Sequence, residues 1–92
     1  MKIVINDRYG GFGISKAQME LLGVGYSHQG REFRTDQRFI KSVEDGDNKT
    51  SFAKLIVCEI PDGADYKIHE DDGLETLYWS LTPITIYASP DA

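Results

Sequence analysis

The run KIVIN (Lys2 to Asn6) leads straight into DRYGGFG (Asp7 to Gly13), and no other stretch restricts the fold of this chain so tightly. Ile3, Val4 and Ile5 are β-branched and favour extended backbone, with Ile3 and Ile5 forming the more apolar face of an internal first strand. Gly10, Gly11 and Gly13 then let the chain turn sharply and lie close against another group. Ser15 has Gln18 three residues on, the spacing of a reciprocal capping box, and Ile14 with Met19 fits a hydrophobic staple. A short helix therefore starts at Ser15 and runs to Leu22, where Gly23 supplies a left-handed cap. Strand, glycine turn and capped helix follow each other without a spacer.

The rest of the chain reads by the same local rules. Residues 25–30 form a polar exposed loop. Thr35 and Asp36 cap a second helix that carries Phe39, Ile40 and Val43 on one side and ends near Asp45. Gly46 to Ser51 is a flexible polar connector; it is no calcium loop, because the acidic spacing breaks at Lys49. Lys54 to Ile60 (KLIVCEI), apolar on both faces and stopped by Pro61, predicts a central strand. Tyr66 to Ser80 reads as a hairpin around Asp72-Gly73, a pair that type I′ turns favour. That register sets Tyr66 opposite Trp79, Ile68 opposite Leu77 and His69 opposite Thr76. It also sets Glu70 against Glu75, a like-charge pair tolerable at a wet tip. Ile84 to Ala88 is a last β-prone run, either an edge strand or a strand that pairs with another copy of the chain, and residues 89–92 fray. The expected fold class is α+β: a small antiparallel or mixed sheet of four to five strands, including Lys2–Asn6, Lys54–Ile60, Tyr66–Glu70 and Glu75–Ser80, with two short helices mainly on one face.

Residues 1–92 make one domain. With Asp plus Glu at 15 against Lys plus Arg at 10, the net charge of −5 argues against nonspecific binding to a nucleic acid polymer or an anionic membrane. The single cysteine permits no internal disulfide and points to a reducing compartment. The opening apolar run is too short for a signal peptide and no segment is long enough to span a bilayer, so a cytoplasmic protein is expected.

Two surfaces could carry function. A glycine loop running into a helix N-terminus offers amides to an anion, with Arg8, Tyr9, Gly11, Phe12 and Lys16 as the contacts. The match to known phosphate loops is loose, since a dinucleotide fingerprint needs glycine where Lys16 stands and the Gly-Lys-Ser/Thr ending is missing. A tight structural turn is the competing reading. The second surface is aromatic. Tyr9, Phe12, Tyr26, Phe33, Tyr78, Trp79 and Tyr87 exceed what so small a core buries, which marks Tyr78, Trp79 and Tyr87 as a contact surface. Catalytic parts are sparse. His28 and His69 lie in no metal or catalytic spacing, and Cys58 sits in the apolar strand as a small buried hydrophobe. Asp62, Asp65, Glu70, Asp71, Asp72 and Glu75 read as a solvated, turn-rich edge. No catalytic residue, metal site or cofactor is expected.

The KIVIN and YGGFG segments with their capping serine, together with EIPDGADYKIHEDDGLE (Glu59 to Glu75), resemble a family of small phage- and prophage-encoded proteins. Its members share an N-terminal KIVIN-x-x-YGGF segment and a V-x-E-I-P-D segment followed by an acidic hairpin. After Glu75 this chain leaves the pattern, with TLYWSLTPITIYASPDA in place of a basic ending. The resemblance implies a phage accessory protein in the host cell cytoplasm. In that setting, the surplus of aromatics and the missing catalytic parts point to a non-catalytic protein that binds and modulates a host protein through an aromatic surface. The alternative is that it sequesters a small anionic ligand, such as a nucleotide or cyclic nucleotide defence signal, at the glycine loop. A homo-oligomer is compatible with either.

Overall fold

The structure is a computed structural model that describes residues 1–25, 30–50 and 52–81. Its elements are β1 (Lys2–Asn6), α1 (Lys16–Leu22), a 3-10 turn (Arg31–Phe33), α2 (Gln37–Glu44), β2 (Leu55–Glu59), β3 (Asp65–Asp71) and β4 (Leu74–Ser80). The protein is α+β. Tyr26, His28, Ser51, Tyr87 and the run Ile84 to Ala88 lie outside the described residues.

Local chemistry sets most boundaries. At α1 the Ser15 hydroxyl accepts from the Gln18 amide at 3.1 Å, and the Gln18 side chain accepts from the Ser15 amide at 2.9 Å, which completes the capping box. Gly23 closes the helix in the left-handed conformation (φ 71°) and donates to Glu20 and Met19 carbonyls. Asp36 caps α2 by accepting from the Arg38 amide at 2.8 Å. The connector after α2 is fastened rather than loose. Asp47 accepts from Ser15 Oγ at 2.6 Å, the Asn48 carbonyl accepts from the Leu55 amide at 2.7 Å, and Thr50 Oγ1 accepts from the Ala53 amide at 3.0 Å.

The single sheet expected from the sequence is divided. β1 pairs antiparallel with β2, Ile3 opposite Cys58 and Ile5 opposite Ile56, while β3 pairs antiparallel with β4, and the described residues form these two two-stranded sheets. The hairpin register is the one predicted, with Tyr66 opposite Trp79 and Glu70 opposite Glu75. β2 is not central in the hydrogen-bonding sense, since its ladder partner is β1. It is apolar on both faces because the β1–β2 layer is packed on both. Val4 and Leu55 join Phe12, Ile14, Leu22, Phe39, Ile40 and Val43 in one cluster, with Val57 against it. Ile3, Ile5 and Ile60 form a second, against which Ile56, Cys58, Ile68 and Leu77 pack. Ile3 and Val4 are fully buried and Ile5 nearly so. Burial of each of these three side chains contributes about 1.5–3 kcal/mol.

A strand with ladder groups on both sides needs partners for its outer edge. Arg34 and Glu75 fill that role on β1. The Val4 amide donates to the Arg34 carbonyl at 3.0 Å, Arg34 Nη1 donates to the Val4 carbonyl at 3.0 Å, and the Asn6 amide donates to Glu75 Oε1 at 2.8 Å. The same carboxylate holds the guanidinium in a two-pronged pair, at 2.8 Å from Nη1 and 2.6 Å from Nη2. An ion pair and one backbone carbonyl thus stand where a neighbouring strand would, and the β3–β4 ribbon keeps its own sheet. Glu75 consequently does not rely on a wet tip. It is 5% exposed and paired with Arg34, while Glu70 facing it accepts from the Gly73 amide at 2.6 Å, so the two carboxylates have separate donors.

Candidate functional site

The glycine loop is a packing node. Asn6, at the end of β1, is fully buried, and its side-chain amide donates to the carbonyls of Arg8 at 2.8 Å, Gly11 at 2.9 Å and Gly73 at 2.6 Å. Its Oδ1 accepts from the Lys54 amide at 2.9 Å. One side chain therefore ties the loop to the start of β2 and to the tip of the β3–β4 ribbon. Gly10 donates to the Asp72 carbonyl at 2.7 Å, and the Phe52 ring lies over Gly13. The sequence predicted a close approach here without showing what approaches; it is the hairpin tip.

The residues predicted to bind an anion are dispersed. Phe12 is not a surface contact: 2% exposed, it packs edge-on to Phe39 with ring centroids 6.2 Å apart, and the Arg34 guanidinium lies 4.6 Å from its centre. Tyr9 is 60% exposed and shares a shallow depression of about 480 Å³ with Gly10, Gly11, Glu70, Asp72 and Gly73. Arg8 is exposed, its carbonyl held by Asn6. Lys16 lines a different cleft with Met19, Glu20, Val24 and Gly25. The carboxylate nearest the start of α1 is the chain's own Asp47, bonded to the capping serine. Glu70 and Asp72 in the depression repel a small anion there, and the Ser15 hydroxyl at the start of α1 already donates to Asp47.

Aromatic side chains gather instead on the ribbon. Tyr66, Tyr78 and Trp79 are 41%, 55% and 48% exposed. Together with Asp65, Lys67 and Ser80 they line a groove of about 220 Å³ at the end of the ribbon away from its tip. Tyr66 and Trp79 continue the face of Ile68 and Leu77 beyond the core, and Lys67 and Tyr78 form the opposite face, where His69 also lies. Tyr66, which the hairpin register sets on the face of Ile68, Leu77 and Trp79, is exposed as well, because periodicity alone does not show where a core stops along a strand.

Among the described residues no group of three or more His, Cys, Asp or Glu side chains is placed to hold a metal ion, and no helix is long and apolar enough to cross a membrane. Cys58 is half-buried in the Ile3–Ile5–Ile60 cluster, and burial, with Asp7 adding to it, pushes its thiol pKa above the ordinary value. A raised pKa leaves less thiolate at neutral pH. Cys58 in the native protein should thus react with a disulfide reagent at pH 7 more slowly than a free cysteine and gain rate on unfolding in urea. Equal native and unfolded rates would contradict the packing described.

The chain is thus a small α+β protein that exposes an aromatic ribbon end. Comparison with protein-family models, curated proteins and solved structures finds no match.

Proposed function

We propose that this chain is a small non-catalytic binding protein of the phage accessory kind, which acts in the host cytoplasm by holding a host protein against the aromatic end of its ribbon. The observation that carries this reading is the exposure of Tyr66, Tyr78 and Trp79 together around one groove. Aromatic side chains present a large contact area at low entropic cost and are enriched among the residues that dominate binding energy. Their position supports the reading too. The ribbon is anchored on the body through Ile68, Leu77, Glu75 and the tip, so its aromatic end is offered on a fixed scaffold.

The test is a quantitative pull-down from bacterial lysate with the full chain and with Tyr78→Ser/Trp79→Ser. The wild type should enrich a defined host protein, and the double variant should bind it at least about 30-fold more weakly, the loss expected on removing a central aromatic anchor worth 2 kcal/mol or more. Enrichment that survives the double variant would sink the proposal. The resemblance to phage proteins supports the setting, and the acidic surroundings of the glycine loop favour this reading over capture of a small anion.

A further inference from the structure

We infer that the outer edge of β3 pairs with the same edge of a second copy of this chain, antiparallel and centred on Tyr66, to build a four-stranded sheet across the dimer. In a hairpin closed by a two-residue loop, the residues flanking the loop bond to each other, so Asp71, His69, Lys67 and Asp65 face β4 through their backbone groups. The N–H and C=O of Tyr66 and Ile68 then point away from the ribbon, and no described residue bonds them there. The edge of β1 is closed by Arg34 and Glu75, and β4 is the ribbon strand that lies against β1, so among the described residues β3 is the outward edge of the ribbon.

The charges on β3 select the occupant and the register. Centred on Tyr66, antiparallel pairing sets Asp65 opposite Lys67 of the second copy and Lys67 opposite its Asp65, as a two-fold interface requires. These are non-hydrogen-bonded positions, where side chains approach most closely. Tyr66 exchanges backbone bonds with its own counterpart, and the Ile68 amide donates to the second copy's Ala64 carbonyl. Slipping the pairing breaks the match: centring on Lys67 opposes two ammonium groups, and centring on Ile68 opposes Asp65 to Asp71. Centring on His69 would match Lys67 with Asp71, but it sets Ile68 against Glu70 and runs into the tip held by the glycine loop. Charges on an edge strand usually repel a second copy; here they are self-complementary. On the other face the register lines up Trp79, Tyr66, Tyr66 and Trp79 across the four strands. So short an edge buries little area, which makes the dimer weak and dependent on concentration.

Sedimentation equilibrium of the full chain from low-micromolar to near-millimolar concentration tests this. The wild type should dimerise reversibly. Asp65→Lys and Lys67→Asp, both at exposed positions, should each weaken self-association by roughly tenfold to a hundredfold, since each turns two attractive cross-strand pairs into repulsive ones. Mixed in equal amounts, the two variants should regain wild-type affinity as a heterodimer, and the doubly substituted chain should regain it alone. A monomer at every concentration overturns the inference, as does a dimer indifferent to either substitution or a mixture that fails to recover. The host-partner reading is independent, because a monomer can present the same aromatic groove.

Discussion

Replacing Arg34 with methionine should destabilise the protein by about 3–5 kcal/mol, the cost of breaking a buried ion pair by removing one partner. Glu75 has a side chain only 2% exposed, and without Arg34 its carboxylate keeps, among the described residues, just the Asn6 amide as a hydrogen-bond donor. The Val4 carbonyl loses a donor as well. Stability of a domain this size is roughly 5–15 kcal/mol, so the variant should sit near the edge of folding. Urea unfolding followed by the fluorescence of Trp79, the single tryptophan, gives the number. The companion variant decides what it means. Arg34→Met/Glu75→Leu removes both charges and should recover part of the loss, because two apolar side chains leave no buried carboxylate. Glu75→Leu alone should be milder than Arg34→Met, since the guanidinium it strands is 14% exposed and lies over the Phe12 ring. A loss below about 1 kcal/mol for Arg34→Met, the scale of a surface pair, would mean that the edge of β1 is not closed in the way described.

That ion pair also marks the limit of what the sequence displays. β1, the capping box at Ser15, the cap at Asp36 and the full register of the β3–β4 hairpin follow from residues within a few positions of one another, and each was legible. Arg34 and Glu75 are separated by 41 residues, and nothing in the local pattern around either distinguishes it from an exposed charge. Glu75 stands opposite Glu70 and so reads as part of an acidic tip; only the fold supplies the guanidinium that makes its burial possible. KLIVCEI misleads for a related reason. Two apolar faces say that a strand is covered above and below, and they do not say that it has a neighbour on each edge. With β1 sealed by side chains, the covering layers are the helical cluster and a separate ribbon.

The candidate site divides in the same way. Tyr78 and Trp79 are exposed, as the excess of aromatics over the core suggests, a counting argument that needs no contacts. Phe12 was misplaced because a loop residue flanked by glycines looks exposed, whereas its ring is drawn inward to Phe39 and beneath Arg34. Gly11 was chosen for close approach to a ligand, and the close approach is real. What lies against it is the chain's own Gly73. A glycine pattern records that backbone must come near, and it is silent on whose.

Gly73→Ala should cost about 3–5 kcal/mol, and Gly63→Ala about 1–2 kcal/mol, although both glycines have positive φ, +91° and +83°. The backbone penalty for a left-handed alanine is common to the two. A Cβ at Gly63 would meet nothing within 4 Å, whereas a Cβ at Gly73 would fall on the Gly11 nitrogen and within 2.8 Å of the Gly10 carbonyl carbon. Those are backbone atoms held from behind by Asn6, so no side chain can swing aside. The tip must lift instead. Lifting it loses the Asn6 bond to the Gly73 carbonyl and the Gly10 bond to the Asp72 carbonyl, at about 0.5–1.5 kcal/mol net each. Hydrogen exchange distinguishes lifting from general loosening. In Gly73→Ala, Gly10 and the ribbon amides should lose protection while Ile3 and Ile5, inside the β1–β2 ladder, keep most of theirs relative to the lowered global stability. Equal costs for the two substitutions would show that the hairpin tip does not rest on the glycine loop, and the anchoring that fixes the aromatic end of the ribbon would go with it.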